Sequence, residues 1–433
     1  MAENAPLQIG LAGFGNVGAG VFKNLDKNRD LLRERIGRDL VVRKIAVRDP
    51  AKSREVALPA DLVTTDVHDL VTDDDIDVVV ELIGGTDKAF DLVKSALEAG
   101  KPVVTGNKAL LAERGRELFA IADERDTPIY FEAAVAGGIP IIKTVQESLV
   151  GNGIELMAGI INGTCNYILT RMSEAGLSYP EALTEAQNLG YAEADPTLDV
   201  NGWDAAHKAI ILASLSYGCW VKTEDIFVEG IEKLSRVDIQ FAADLGYVIR
   251  LLGVIHLSAE NQIEVRVQPS LVADDHILAS VKGVYNAILV RGDVVGETLF
   301  YGSGAGQDPT SSSVISDLAD AAANIECPQR RKGFVPHGLY GEPLPINDSV
   351  SQYYLRLNVD DQPGVLAQIA GVLGRNDIGI SSMIQPEDHD EDEAPIVLML
   401  HYATFGTMKA ALAEIAGLEC VRNEPVLMRV EDL

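Results

Sequence analysis

The sequence predicts an α/β protein in three parts: a parallel sheet covered by helices, a mixed α+β region, and a small C-terminal unit of strands and helices. Three observations predict it. In residues 7–142 short apolar runs alternate with helical stretches, and strands apolar on both faces mark a parallel sheet covered on both sides. From about residue 143 longer helices and alternating strands take over. From residue 352, after a stretch rich in Gly and Pro, the order reads strand, helix, strand, strand, helix, strand. A chain of 433 residues is too long for one core, which agrees with several domains.

The first part opens with the apolar run 7–12 and its trailing glycines. Residues 17–36 are expected as one helix with charges on one face, and 40–47, rich in Val and Ile, as the second strand. The apolar run 78–83, strands at 103–104 and 129–131, and helices at 89–99 and 109–122 continue the alternation. In the second part, 143–305, helices are expected over 179–189 and 202–217. Ser178 and Glu181 make a capping box, Pro180 suits a first turn, and Gly190 suits a helix end. Segments 263–268 and 287–291 alternate as strands, and a helix within 305–330 can return to the first part. Residues 333–351 read as a linker, with Gly333, Pro336, Gly338, Gly341, Pro343 and Pro345.

The terminal unit, 352–433, has strands near 353–360, 378–385, 395–402 and 420–430 and helices near 364–375 and 407–416. Its apolar face includes Leu355, Leu357, Val359, Val365, Leu366, Ile369 and Leu373. The acidic run 387–393 reads as a solvated hairpin loop, since it lacks a chelating spacing or a glycine turn.

The net charge of −29 argues against nucleic acid and anionic membranes as partners. The four cysteines, Cys165, Cys219, Cys327 and Cys420, are scattered, which fits reduced cytoplasmic thiols better than a disulfide framework or a zinc site. Met1–Asn4 starts no signal peptide, and the apolar stretch 209–221 is too short to span a bilayer, so a soluble cytoplasmic protein is expected.

Gly13, Phe14, Gly15, Asn16, Val17 and Gly18 form a G-x-G-x-x-G between the first strand and the first helix. In that place the glycines let the backbone approach a pyrophosphate, and the helix N-terminus supplies N–H groups and positive dipole. An acid about 20 positions on should hold the ribose. Asp39 has that spacing but precedes the second strand. Arg48 and Asp49 follow the strand instead; Arg48 suits a 2′-phosphate and Asp49 a free ribose, and the balance favours NADP with NAD use open. Glu81–Gly85 and Thr105–Lys108 close two further strands, where ligands of open α/β sheets lie, so Lys108 points toward cofactor and substrate. Phe131 to Pro140 sets one acid, Glu132, in an apolar turn able to nest a monovalent cation. Asp204 and Lys208 lie four apart on an otherwise apolar helix, and charges buried there must be paired.

With these residues the sequence resembles the homoserine dehydrogenase family, in its larger bacterial form with a C-terminal ACT domain. The matching strings are GFGNVG (13–18), ELIGG (81–85), TGNK (105–108), EAAVAGGIP (132–140), GIINGTCNYIL (159–169), GYAEADPTLDVNGWDAAHKAIILA (190–213) and GSGAGQDPT (302–310). The last quarter resembles an ACT domain through Asp361, Gln362, Pro363 and Gly364. The resemblance implies a Rossmann-like dinucleotide-binding domain (1–142), a mixed α+β catalytic and dimerisation domain (143–305), and a ferredoxin-like ACT regulatory domain (352–433). It implies interconversion of L-homoserine and L-aspartate 4-semialdehyde, in threonine, methionine and isoleucine biosynthesis. By the same resemblance Lys208 is the proton donor and acceptor, Lys108 a second active-site lysine and cofactor contact, and Glu193 and Asp204 bind substrate. Gly190 and Gly306 contact the cofactor. The Glu132 side chain with the carbonyls of Val135, Gly137 and Ile139 holds Na+. L-Threonine is the implied effector, and a homo-oligomer, dimer or tetramer, the implied assembly.

Two rival readings have distinct signatures. A phosphorylating semialdehyde dehydrogenase needs a nucleophilic cysteine, for which Cys165 is the one candidate. A non-catalytic sensor of NADP(H) and amino acids needs no charged pair on the apolar helix 202–217.

Overall fold

The computed structural model describes residues 5–54, 56–326, 334–386 and 393–433. The first four residues, Cys327, Gly333 and the acidic run except Glu393 lie outside the described residues. The chain opens β1 (Leu7–Ala12), α1 (Asn16–Lys27), α2 (Arg29–Ile36), β2 (Leu40–Ala46), β3 (Val63–Thr64), α3 (Asp69–Thr72) and β4 (Val78–Glu81). It continues α4 (Asp87–Glu98), β5 (Val103–Thr105), α5 (Lys108–Arg125), β6 (Ile129–Tyr130), α6 (Ile141–Lys143), β7 (Ile154–Ile160), α7 (Gly163–Ala175) and α8 (Tyr179–Asn188). Next come α9 (Thr197–Val200), α10 (Trp203–Tyr217), β8 (Phe227–Val228), α11 (Arg236–Asp244), β9 (Tyr247–Leu257), β10 (Ile263–Ala273), β11 (Tyr285–Gly292), β12 (Gly296–Ser303) and α12 (Gln307–Glu326). The last quarter is β13 (Val350–Asp360), α13 (Val365–Arg375), β14 (Ile380–Ile384), β15 (Glu393–Thr404), α14 (Phe405–Ala416) and β16 (Val426–Val430). These elements form two compact units, one from residues 1–154, 210–223 and 292–339, the other from 155–209, 224–291 and 340–433.

The first unit holds a sheet of order β3-β2-β1-β4-β5-β6, every neighbour parallel, as the fully apolar strands require. Val78, Val80 and Val104 are buried, and Val314, Leu318 and Ala321 of α12 join the same core. α12 packs on α1 so closely that a Cβ at Gly20 would lie 2.9 Å from the Gln307 carbonyl oxygen. The single helix expected over 17–36 is instead two. Asn28 leaves the helical region, with φ −108° and ψ 17°, and caps both pieces. Asn28 N–H donates to the Asn24 carbonyl (3.1 Å) and its own carbonyl accepts from Leu32 N–H (2.9 Å), so backbone bonds carry the chain across the break.

In the second unit the strand order is β11-β7-β9-β10-β16-β13-β15-β14. β10 pairs with β9 antiparallel over its whole length and with β16 in parallel through Ser270–Arg429 and Leu271–Val430. The terminal strand–helix–strand–strand–helix–strand segment therefore extends this sheet. α13 and α14 bury Val365, Ile369, Leu373, Met408 and Ile415 against Leu355, Leu357 and Leu398. Leu366, expected on that face, is 38 % exposed. It follows Val365 by one residue, about 100° around the helix. Part of the expected linker is docked: Gly341 N–H donates to the Asn261 carbonyl (2.7 Å) and Leu344 N–H to that of Ile263 (2.8 Å). Among the described residues no helix is long and apolar enough to cross a membrane.

Candidate active site

The glycine loop is fixed by close approach of backbone. Gly13 has φ +99°, and a Cβ there would lie 2.5 Å from the Leu82 carbonyl oxygen. A Cβ on Gly18 would lie 2.2 Å from the Gly13 oxygen, whereas one on Gly15 would meet nothing within 4 Å. The loop is thus tight on its protein side and open at Gly15, the N-cap of α1. Asn16 accepts from the Gln307 amide at 3.2 Å, which brings the start of α12, just after Gly306 (φ +134°), beside this loop. Arg48 and Asp49 are exposed just past β2. Arg54, which stands in no recognisable motif, donates to the carbonyls of Phe14 (3.2 Å) and Asp49 (2.7 Å) and so ties that segment to the loop.

Glu81 ends β4 fully buried and organises the neighbouring turns. Its Oε1 accepts from Ile83 N–H (2.9 Å) and Gly84 N–H (3.3 Å), and its Oε2 from the Thr105 hydroxyl (2.6 Å). Burial pushes its carboxyl up, against those hydrogen bonds. Asn107 caps α5 by accepting from Leu110 N–H (3.1 Å) and donates to the Gly85 carbonyl (2.7 Å), which sets half-buried Lys108 in the first turn.

Glu132, Val135, Gly137 and Ile139 share one buried turn, with Ala136 at φ +55° and Gly137 at φ +50°. The Glu132 carboxylate accepts from Ile142 N–H (2.9 Å) and Lys143 N–H (2.8 Å). The Gly137 oxygen accepts from the Ser313 hydroxyl (2.6 Å) and the Ile139 oxygen from Ile141 N–H (2.8 Å). Asp317 of α12 accepts from Glu132 N–H at 2.9 Å, and burial raises its carboxyl to about 8.

In the second unit, Asp204 and Lys208 project from the first turns of α10, among buried Ala205, Ala206 and Ala209. Lys208, 8 % exposed, donates through its ammonium to Asp204 Oδ2 (2.7 Å) and to the Ile161 carbonyl just past β7 (2.6 Å). Asn162 Nδ2 donates to Asp204 (2.8 Å) and Asp199 (2.8 Å), while its Oδ1 accepts from Cys165 N–H (2.7 Å) to cap α7. Burial, and next the charge of Asp204, raises the Asp199 carboxyl. Asn162 and Asp199 carried no separate sequence signal; their strings were visible, but their convergence needs the β7–α7 turn to meet α9 and α10. The arrangement can hold a cation, orient an ammonium donor and stabilise a growing oxyanion. Two of the three ammonium donors are used by protein.

Glu193 lies exposed on the loop after Gly190, which takes φ +76° at the end of α8. Its main-chain oxygen accepts from Gln187 at 3.2 Å. Cys165 does not suit the phosphorylating rival. It is fully buried, its thiol donates to the Asp199 carbonyl at 3.1 Å, and burial holds it well above the usual thiol range, the reverse of what a nucleophile needs.

A profile of homoserine dehydrogenase matches residues 140–319, and one of the homoserine dehydrogenase NAD-binding domain matches residues 13–132. A Pseudomonas aeruginosa homoserine dehydrogenase is 46 % identical over 99 % of both chains. The crystal structure of a homoserine dehydrogenase from Thiobacillus denitrificans superposes with a TM-score of 0.94 at 43 % identity, covering 99 % of each chain. A hyperthermophilic archaeal homoserine dehydrogenase in complex with NADPH aligns at 28 % identity and TM-score 0.62, covering 98 % of that chain and 74 % of this one. With a nucleotide loop at the head of a parallel sheet and a buried Lys208–Asp204 pair, the chain belongs to the homoserine dehydrogenase family, oxidoreductases acting on a CH–OH group.

Proposed function

We propose that the chain interconverts L-homoserine and L-aspartate 4-semialdehyde with NADP(H) favoured over NAD(H), and that Lys208 moves the proton. The observation that carries this reading is the grip on Lys208: a buried ammonium held by one carboxylate and one carbonyl, with a donor left for substrate. The nicotinamide cofactor supplies the hydride chemistry when bound. In the reducing direction negative charge grows on the aldehyde oxygen; the Lys208 ammonium stabilises it and gives up a proton. Asp204 holds that lysine in place and aims it. Asp204 and Glu193 attract the substrate's own ammonium group, and Lys108 serves as the second lysine and a cofactor contact. The dinucleotide fits the chain's own residues: Gly13, Phe14, Gly15, Asn16, Val17 and Gly18 cradle a pyrophosphate at the open face of Gly15, with Gly190 and Gly306 as further contacts. Arg48 supplies a cationic donor for a 2′-phosphate.

Sodium is the proposed cation of the Glu132 turn. The Glu132 carboxylate and the carbonyls of Val135, Gly137 and Ile139 are hard oxygen donors. The hydrogen bonds described above leave a further lone pair on the Glu132, Gly137 and Ile139 oxygens. The terminal segment is proposed as an ACT regulatory unit that binds L-threonine, and the assembly as a homo-oligomer. Inhibition of the full-length enzyme by saturating L-threonine, with binding seen by calorimetry, tests the regulatory part; absence of both refutes it.

Lys208→Ala tests the catalytic part. Its charge is needed most in the transition state, so kcat is expected to fall by about 100-fold or more while NADPH binding, read by fluorescence, is retained. A kcat within about threefold of wild type would remove Lys208 from its role.

A further inference from the structure

The turn between β7 and α7 meets the Lys208 site at two successive residues. The Ile161 carbonyl takes the Lys208 ammonium at 2.6 Å, and the Asn162 side chain takes the two nearby acids. Asn162 is 4 % exposed, so bulk water hardly competes for its amide. Cys165 N–H donates to that amide at 2.7 Å, and only the oxygen end can accept. The bond therefore fixes which end is which. Both Nδ2 hydrogens are left to face carboxylates, Asp199 Oδ1 and Asp204 Oδ2, each at 2.8 Å.

The backbone under Asn162 has little freedom. Asn286 Nδ2 donates to the Ile160 carbonyl at 2.8 Å, and a Cβ on Gly163 would lie 2.6 Å from the Val284 carbonyl oxygen. One turn along α7, Asn166 donates to the carbonyls of Val281 (3.3 Å), Gly283 (3.0 Å) and Tyr285 (3.2 Å). The turn is thus anchored on the segment that leads into β11. The two acids stand on other elements, Asp199 on the four-residue α9 and Asp204 on the first turn of α10. They carry like charge, and burial followed by the charge of Asp204 raises the Asp199 carboxyl. Two carboxylates this close disfavour each other's charged form. An amide that gives one N–H to each opposes that effect without adding a charge. Asp204 Oδ2 is the shared point, since it takes both the Asn162 amide and the Lys208 ammonium at 2.7 Å.

We propose that Asn162 is a positioning residue for the reaction: its amide ties Asp204, and through it Lys208, to the anchored β7–α7 turn and holds Asp199 alongside. It rests on Asp204 and Lys208 as the working pair. The same side chain caps α7, so the test must part the two roles.

Steady-state oxidation of homoserine by the full chain is the test, with NADPH affinity read by fluorescence. Asn162→Ser keeps a helix cap but loses the reach to the acids. Its kcat/KM is expected to fall about tenfold or more, the worth of one hydrogen bond to a charged group, while NADPH affinity stays within about twofold. If the cap were the whole role, Asn162→Ser would match wild type and only Asn162→Ala would lose activity. A kcat/KM within about threefold of wild type in Asn162→Ser therefore overturns the proposal. Asn162→Asp also caps, but it sets a third carboxylate against Asp199 and Asp204, with Lys208 and the Cys165 thiol beside them. Added negative charge makes each neighbouring proton harder to remove, so the kcat–pH profile is expected to move up by about one unit. An unmoved profile overturns the proposal; if that variant does not fold, the serine variant decides. Asn162→Ser combined with Asp204→Asn is expected to lose less than the product of the two single losses, because one residue acts through the other. A full product overturns the proposal. Its failure is distinct from that of the lysine reading: Lys208→Ala with its kcat kept removes Lys208 from its role, whereas the Asn162–Asp204 coupling is measured with Lys208 intact.

Discussion

Lys208 and Asp204 meet because an i,i+4 spacing puts them on one face of α10, and an ion pair at 2.7 Å between two buried groups is the direct result. Asp204→Asn keeps the shape but withdraws the charge that holds the ammonium. Losing one partner of a buried charge pair costs about 2–5 kcal/mol, so kcat/KM for homoserine is expected to fall steeply. Glu193 is exposed, so Glu193→Gln is expected to act more weakly and mainly on KM. Unchanged kcat/KM in both would take them out of the substrate site. Arg48→Ala is expected to move the ratio of kcat/KM from NADP(H) toward NAD(H); an unmoved ratio makes Arg48 an ordinary surface charge. At this scale the sequence showed the residues that pair at short spacing or in recognisable strings. It did not show Asn162 beside Asp199 and Asp204, separated by 37 and 42 positions, or Arg54 over the Phe14 carbonyl, separated by 40. Those depend on how loops return, which no local pattern encodes.

Elements with a strong local period were legible: the parallel strands, the capped helix α8 and the alternating β10. The Ser178–Glu181 box closes as expected, with Glu181 accepting from Ser178 N–H at 2.8 Å. Weak local preferences decided the rest. Asn28 divides the first helix, and β9, an eleven-residue strand, shows no strand-like alternation, since Arg250, Gly253 and His256 interrupt its apolar residues at every third place instead of every second. The joint between α12 and the Glu132 turn carries a pH signature. The Asp317 carboxyl is raised by burial from 3.8 to about 8, so the folded state binds its proton more tightly than the unfolded chain. Its contribution to stability is complete below about pH 3.8 and is lost as pH rises through about 8. Asp317→Asn removes that loss while keeping an acceptor for Glu132 N–H. The Tm of the variant relative to wild type is therefore expected to rise between pH 5 and about 8.5, and a constant difference would show that Asp317 does not titrate there.

Across the whole molecule, the order of the terminal elements was readable, but their attachment was not. A Gly- and Pro-rich stretch suggests a detachable tail, whereas β16 hydrogen-bonds β10 and Glu431 neutralises fully buried Arg266. Cutting after Gly341 strips a strand from β10 and leaves Arg266 without its bidentate partner, a loss of about 3–5 kcal/mol for a buried pair. The truncated chain is thus expected to unfold at a clearly lower temperature than the full one; an equal Tm would show that the sheet gains nothing from β16. The most direct test of the account is steady-state oxidation of NADPH by the purified full-length protein with L-aspartate 4-semialdehyde, wild type beside Lys208→Ala. Saturable turnover is expected in the wild type and its near loss in the variant. No turnover in a folded, NADPH-binding wild type, or equal turnover in both, would contradict it.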